Sequence, residues 1–162
     1  MKASLLGANL ACLAVAISAN PARATDEASS PAMRAIGAAL DDFHQAASKA
    51  DEARYFSHFA PEGVFLGTDP TERWTVPEFL RFAHPYFAKG TGWTYVPRER
   101  HIVLDGDHAT FDELLDSPKY GLCRGTGSLR LISGEWKIVQ YSLSFPIPNA
   151  VAAKVLAVAH GP

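Results

Sequence analysis

"FDELLDSPKYGLCRGTG", Phe111 to Gly127, decides how the chain folds. Two runs that alternate apolar and polar residues flank the turn signal "SPKYG", so the stretch forms two antiparallel strands joined by a tight turn. Along the first run Ala109, Phe111 and Leu115 share one side, and Glu113 falls on that side with them. A slip of one residue would send every side chain to the opposite face, so the phase is a strong statement. Pairing through the turn sets Leu115 opposite Cys123, Glu113 opposite Gly125 and Phe111 opposite Gly127. The carboxylate therefore points inward, beside two positions without side chains. A glycine within a strand often marks a bend, a bulge or room for a ligand, and a cavity is expected beside Gly125 and Gly127.

The alternation continues on both sides. "WTYVPRERHIVL" and the turn "DGD" precede this pair, and "SGE" followed by "WKIVQYSLSF" completes it. Four strands joined by tight turns make an antiparallel meander. Reading "SGE" as a three-residue turn with Gly134 left-handed sets Leu129 opposite Val139. The inner face is then Ala109, Phe111, Glu113, Leu115, Cys123, Leu129, Val139, Tyr141, Leu143 and Phe145, while Thr110, Asp112, Arg124, Thr126, Ser128 and Gln140 make the other face polar.

Helices come first in the chain. Ser30 before Pro31 is a cap-then-proline start, and Met33, Ile36, Leu40, Phe43 and Ala47 recur at helical spacing. Asp51 caps a second, short helix with Tyr55, Phe56 and Phe59 on its apolar side, before "APEGV" breaks it and "VFLG" begins a strand. "DPTERW" reads as a loop. Thr75 and Glu78 match the capping box of a third helix carrying Phe79, Phe82, Ala83, Tyr86 and Phe87. Helices followed by a sheet define an α+β fold with the helices on one face.

The 162 residues, 48% of them hydrophobic, fit one domain with a substantial core. Lys2, the apolar run Leu5 to Ile17 and the small-x-small triplet Ala22-Arg23-Ala24 read as a secretory leader over 1–24. The expected division is leader 1–24, polar spacer 25–32, folded domain 33–149 and apolar tail 150–162. Export to the periplasm is expected. There is no membrane role after cleavage, because the apolar runs fall short of the roughly 20 residues that span a bilayer. A net charge of −2 offers no basic surface for nucleic acid. Cleavage removes Cys12 and leaves Cys123 alone, so the core holds without a disulfide. The tail is expected to dock on the body or on a second subunit.

A carboxylate on an apolar wall resists ionisation, which is how a general acid or base is tuned. The competing reading is an inward ion pair, because the hairpin before it sets Arg100 or His101 beside Glu113, depending on how "DGD" turns. Tyr55 and Tyr141 are candidate donors to a ligand carbonyl, and equally good core tyrosines. "GTDPTERW" places Asp69, Glu72, Arg73 and Trp74 at the mouth of the hollow, either to meet a ligand or as an ordering network with Glu72 on an arginine. His58 and His84 lack the spacing of a helical zinc site, so no metal is expected.

"AASKADEARYFSHFAPEGVFLGTDPTERWTVPEFLRFAHPYF", "GLCRGTG" and "GEWKIVQYSLSFPIPN" resemble the SnoaL-like branch of the nuclear transport factor 2-like superfamily. The resemblance implies a cone-shaped domain, three helices on a curved antiparallel sheet around a pocket, and frequent homodimers. Catalytic members of that superfamily move a proton next to a carbonyl with an Asp, Glu or His in the cone and no cofactor. The expectation is a pocket for a small apolar molecule built from Tyr55, Trp74, Arg100, His101, Phe111 and Tyr141, with Glu113 as acid or base if there is chemistry. A filled cone serving only dimerisation is the third reading.

Overall fold

The structure is a computed structural model that describes residues 30–160. The leader expected over 1–24, and the spacer up to position 29, lie outside the described residues. Helix α1 (Pro31–Ser48) starts where the sequence places it. The Ser30 hydroxyl accepts the Met33 N–H at 3.2 Å, and Ile36, Leu40, Phe43, His44 and Ala47 turn inward. Helix α2 (Glu52–Ser57) is capped by Asp51. Helix α3 (Val76–Phe87) opens on the capping box, with the Thr75 N–H donating to Glu78 at 2.8 Å, and buries Phe79, Ala83 and Phe87.

Six strands form one sheet: β1 (Phe59–Leu66), β2 (Arg73–Thr75), β3 (Val96–Asp105), β4 (His108–Ser117), β5 (Gly121–Ile132) and β6 (Glu135–Ser144), in the spatial order β2-β1-β6-β5-β4-β3. The α+β class and the curved, mainly antiparallel sheet under three helices follow the sequence reading. Between β4 and β5 the expected register holds at all three pairs: Leu115 with Cys123, Glu113 with Gly125 and Phe111 with Gly127.

Four details depart from expectation. Phe59 begins β1 rather than lying on α2, and "APEG" forms an irregular stretch of that strand, which pairs parallel to β6. Trp74, read as loop, sits in the short strand β2 opposite Phe65. The β5–β6 turn has two residues, Ser133 and Gly134, both at positive φ (51° and 86°), so Leu129 faces Ile138. That double left-handed turn matches the twist of the flanking strands better than the three-residue alternative. A register shift between Ser128 and Leu129 then restores the expected pairing, with Gly127 opposite Tyr141. Trp136 and Ile138 therefore fill the inner face in place of Val139, and Phe145 is 42% exposed. Finally, the tail forms helix α4 (Asn149–His160) after Pro146-Ile147-Pro148, and through Ala159 all its residues but the half-buried Ala152 are exposed, so it does not dock on the body, the first of the two sites expected for it. Among the described residues no helix is long and apolar enough to cross a membrane.

Candidate functional site

Across the sheet, Trp74, Phe65, Tyr141, Gly127 and Phe111 lie in one row, and Leu143, Gly125, Glu113 and Arg100 in the next. Together with the helices above them, these rows build two regions, a buried cluster and an open cleft. In the buried cluster, Glu113 is 1% exposed. Its Oε1 accepts from His44 Nε2 at 2.7 Å and from the Tyr141 hydroxyl at 3.1 Å, and its Oε2 accepts from Arg100 Nε at 2.8 Å. Arg100 Nη1 also donates to the Gly37 carbonyl and to Asp41, while Nη2 is buried without a partner among the described residues.

Burial is the largest single influence on Glu113 and opposes its ionisation. The His44 hydrogen bond and the charges of His44 and Arg100 together outweigh it, and the carboxyl is held below its usual range. Glu113 is a carboxylate. Tyr141 moves the other way, pushed well up by burial and by the Glu113 charge, so it remains a phenol that donates.

The space beside the two glycines is occupied, contrary to the expected cavity. A Cβ at Gly125 would collide with the Tyr141 hydroxyl and come within 3.0 Å of Glu113 Oε1, and one at Gly127 would strike the Gln140 carbonyl and the Phe111 ring. Gly125 is thus the slot through which Tyr141, one row away, reaches Glu113.

The second region is a cleft of about 550 Å³ at the mouth of the cone. Phe65, Trp74, Phe79, Phe82, Tyr86, Trp93, Tyr95 and Tyr120 wall it, with Glu72, Lys119 and several Thr and Ser hydroxyls among them. Four of its rings share an orientation: Trp74 lies 4° from Phe79 and 22° from Phe82, and Phe79 lies 23° from Trp93, whereas Tyr86 is tilted 45° from Phe82. The loop that carries Trp93 and Tyr95 runs close against α1. A Cβ on Gly92 would clash with the Ala47 carbonyl, so only glycine permits that approach. Below the cleft lies a void of about 10 Å³, touching His44, Tyr55 and Tyr141 and sharing Phe65, Trp93, Tyr95 and Leu143 with it. That is about one water's worth of space.

Of the residues singled out in the sequence, the structure joins Glu113, Arg100 and Tyr141 in the buried cluster and puts Trp74 in the cleft wall. Tyr55 stacks on Phe43 in the core at 4.5 Å and touches only the small void. Phe111 fills the space over Gly127. His101 does not join the site: it faces Asp112 across the ladder, its side chain is 63% exposed, and it pairs with Glu99. Glu72 meets no arginine among the described residues; the Asp69 N–H donates to it at 3.1 Å. His58 and His84 pair with Asp42 and Glu52. Among the described residues no group of three or more His, Cys, Asp or Glu side chains could hold a metal ion.

His44 is the member that sequence reasoning missed, although its signal was present. It lies eight residues after Ile36 and four after Leu40, on the same inward stripe, a polar residue on an apolar helix face just as Glu113 is on a strand. The cleft wall was missed because Tyr120 lies in a turn, and Trp93 and Tyr95, read as the start of a strand, lie in the connection before β3.

A helix-covered, strongly aromatic cone with a buried charge cluster at its floor defines a pocket-bearing α+β domain. This chain belongs to the SnoaL-like domain family, whose profile matches residues 36–148. No curated protein matches the sequence. Among solved structures it is similar to an NTF2-like protein of unknown function from Pseudomonas putida KT2440 (TM-score 0.63, 17% identity, covering 73% of this chain and 89% of that one). It is also similar to a proposed dehydratase of the NTF2-like family from Streptomyces avermitilis (TM-score 0.61, 20% identity, 74% and 100%). A third is a proposed scytalone dehydratase from Novosphingobium aromaticivorans DSM 12444 (TM-score 0.61, 12% identity, 72% and 85%). At these identities the likeness shows the fold alone.

Proposed function

We propose that this is a secreted, periplasmic binding protein, acting as a homodimer, that holds a small and largely apolar molecule with a flat ring in the aromatic cleft. One observation carries the reading: the chain fills its cone down to a water-sized void, yet leaves about 550 Å³ open where the aromatic rings gather. That volume falls in the roughly 300–1,000 Å³ range of small-molecule sites. The shared ring orientation favours a flat guest. The leader-like sequence over 1–24 supports export. Native mass spectrometry of the protein purified from its own periplasm tests this, giving bound mass and subunit number together. A bound small molecule that is lost in Trp74→Ala is the expected result. A bare chain that also takes up no apolar dye rejects the reading.

A second reading is cofactor-free isomerase, cyclase or dehydratase chemistry, favoured by the void that touches His44 and shares four wall residues with the cleft, and by the dehydratases proposed among similar folds. Every Glu113 oxygen is engaged. The proton carrier in this reading is therefore His44, with Glu113 fixing its ring and Tyr141 beside it. Its signature is turnover of the co-purified molecule that is lost in His44→Gln while binding survives.

A further inference from the structure

Glu72 stands in the cleft wall without a counterion. Its side chain folds back over Gly67, where any Cβ would collide with Oε2, and that oxygen accepts the Asp69 N–H. Among the described residues Oε1 has no hydrogen-bond partner, and no ion pair includes this carboxylate. The residue is half-buried and lines the same cleft as the aromatic rings. A neutral guest covering it would strip water from the charge and give nothing back, which is costly. An anionic guest would add repulsion. The one cation of the wall, Lys119, is exposed at the rim, and its Nζ already sits over the Tyr120 ring, 4.7 Å from the centroid.

We infer that the cleft selects an organic cation: an amine or quaternary ammonium carried on a flat apolar body. The ring faces of Trp74, Trp93 and Tyr95 attract positive charge through their quadrupoles, Trp most strongly. Glu72, in the same cleft wall, supplies the full opposite charge. Lys119 on Tyr120 is the same interaction made with the chain's own ammonium. This inference rests on the cleft being the ligand site, and it adds the charge of the ligand.

An NMR titration followed at the indole N–H resonances tests both levels. Trp74 and Trp93 line the cleft, whereas Trp136 does not and serves as the internal reference. The probes are naphthylmethyl-trimethylammonium, naphthylmethanol and naphthylacetate. The cation is expected to bind about tenfold tighter than the alcohol, with the acetate weakest. Glu72→Gln, which keeps an acceptor for the Asp69 N–H, is expected to abolish that preference while the alcohol still binds. Equal binding of the three probes, or a preference that survives Glu72→Gln, overturns the cation inference and leaves the cleft reading standing. Trp74 and Trp93 resonances unmoved by all three overturn both.

Discussion

Two carboxylates meet opposite fates in this molecule. Glu113, on the middle of a long strand, is enclosed by an arginine, a histidine and a tyrosine that each reach it from a different element. Glu72, on a loop at the cone mouth, touches a single backbone amide and faces open space. The difference follows from what each location must do with a charge. In the core no water can compensate, so the chain supplies every partner, and the result is a fixed joint between α1, β3, β4 and β6. At the mouth solvent serves while the cleft is empty, so a partner can be left for a guest to bring. A charged side chain on an apolar face is thus a structural joint when its partners are complete and a recognition element when they are not.

The strongest way to break this contrast is to remove the joint. Glu113→Ala leaves His44 without its acceptor and Arg100 with only Asp41 as counter-charge, and a loss of about 3–5 kcal/mol is expected in urea unfolding. Replacing both partners, Glu113→Leu with Arg100→Met, should return much of it, because the penalty lies in the stranded charge rather than in the missing attraction. A single Glu113→Ala change that cost less than about 1 kcal/mol would show that the cluster is not a structural joint, since even an ordinary hydrogen bond contributes that much.

A smaller effect is expected at the slot that admits Tyr141. Gly125→Ala drives a methyl into the tyrosine hydroxyl and should cost about 1–3 kcal/mol. Gly37→Ala is the control, because a Cβ there meets nothing within 4 Å on the helix α1. It should gain about 0.5–1 kcal/mol from helix propensity. Paired melting curves of the two variants moving in the same direction would contradict the slot.

How far the sequence reaches is clear from these same residues. The phase of β4 and β5 was legible from Phe111 to Gly127, because alternation and one turn determine a whole strand pair. Inward Glu113 followed from it, while its partner stayed open between Arg100 and His101 until the β3–β4 register chose Arg100. At the other end of β5 the same logic failed, since a two-residue turn and the register shift beyond it cancel, leaving Gly127 opposite Tyr141 under either reading. Only the inner residues near the turn, Trp136 and Ile138, reveal which one the chain took. The parallel pairing of β1 with β6 joins segments far apart in the chain, and no local pattern encodes it. The emptiness of Gly125 was read correctly as missing bulk but assigned to the wrong occupant, because Tyr141 reaches it from the neighbouring row.

The smallest and most diagnostic effect is in pH. Glu113 has a folded-state pKa below its ordinary value of 4.5, so the folded state binds this proton less readily than the unfolded chain does. Its contribution to stability is therefore complete above that ordinary value and is lost as pH falls through the lower, folded one. Glu113→Gln has no such proton. The stability gap between the natural chain and this variant should be constant near neutrality and should narrow once the pH drops below about 4.5. Trp74→Ala, a cleft change with no titrating group, should keep an even offset from the natural chain over the same range, because both lose their carboxylate contributions together. A Glu113→Gln gap that widened on acidification would mean that Glu113 is protonated in the fold, and the joint would then be a hydrogen-bonded acid in place of an ion cluster.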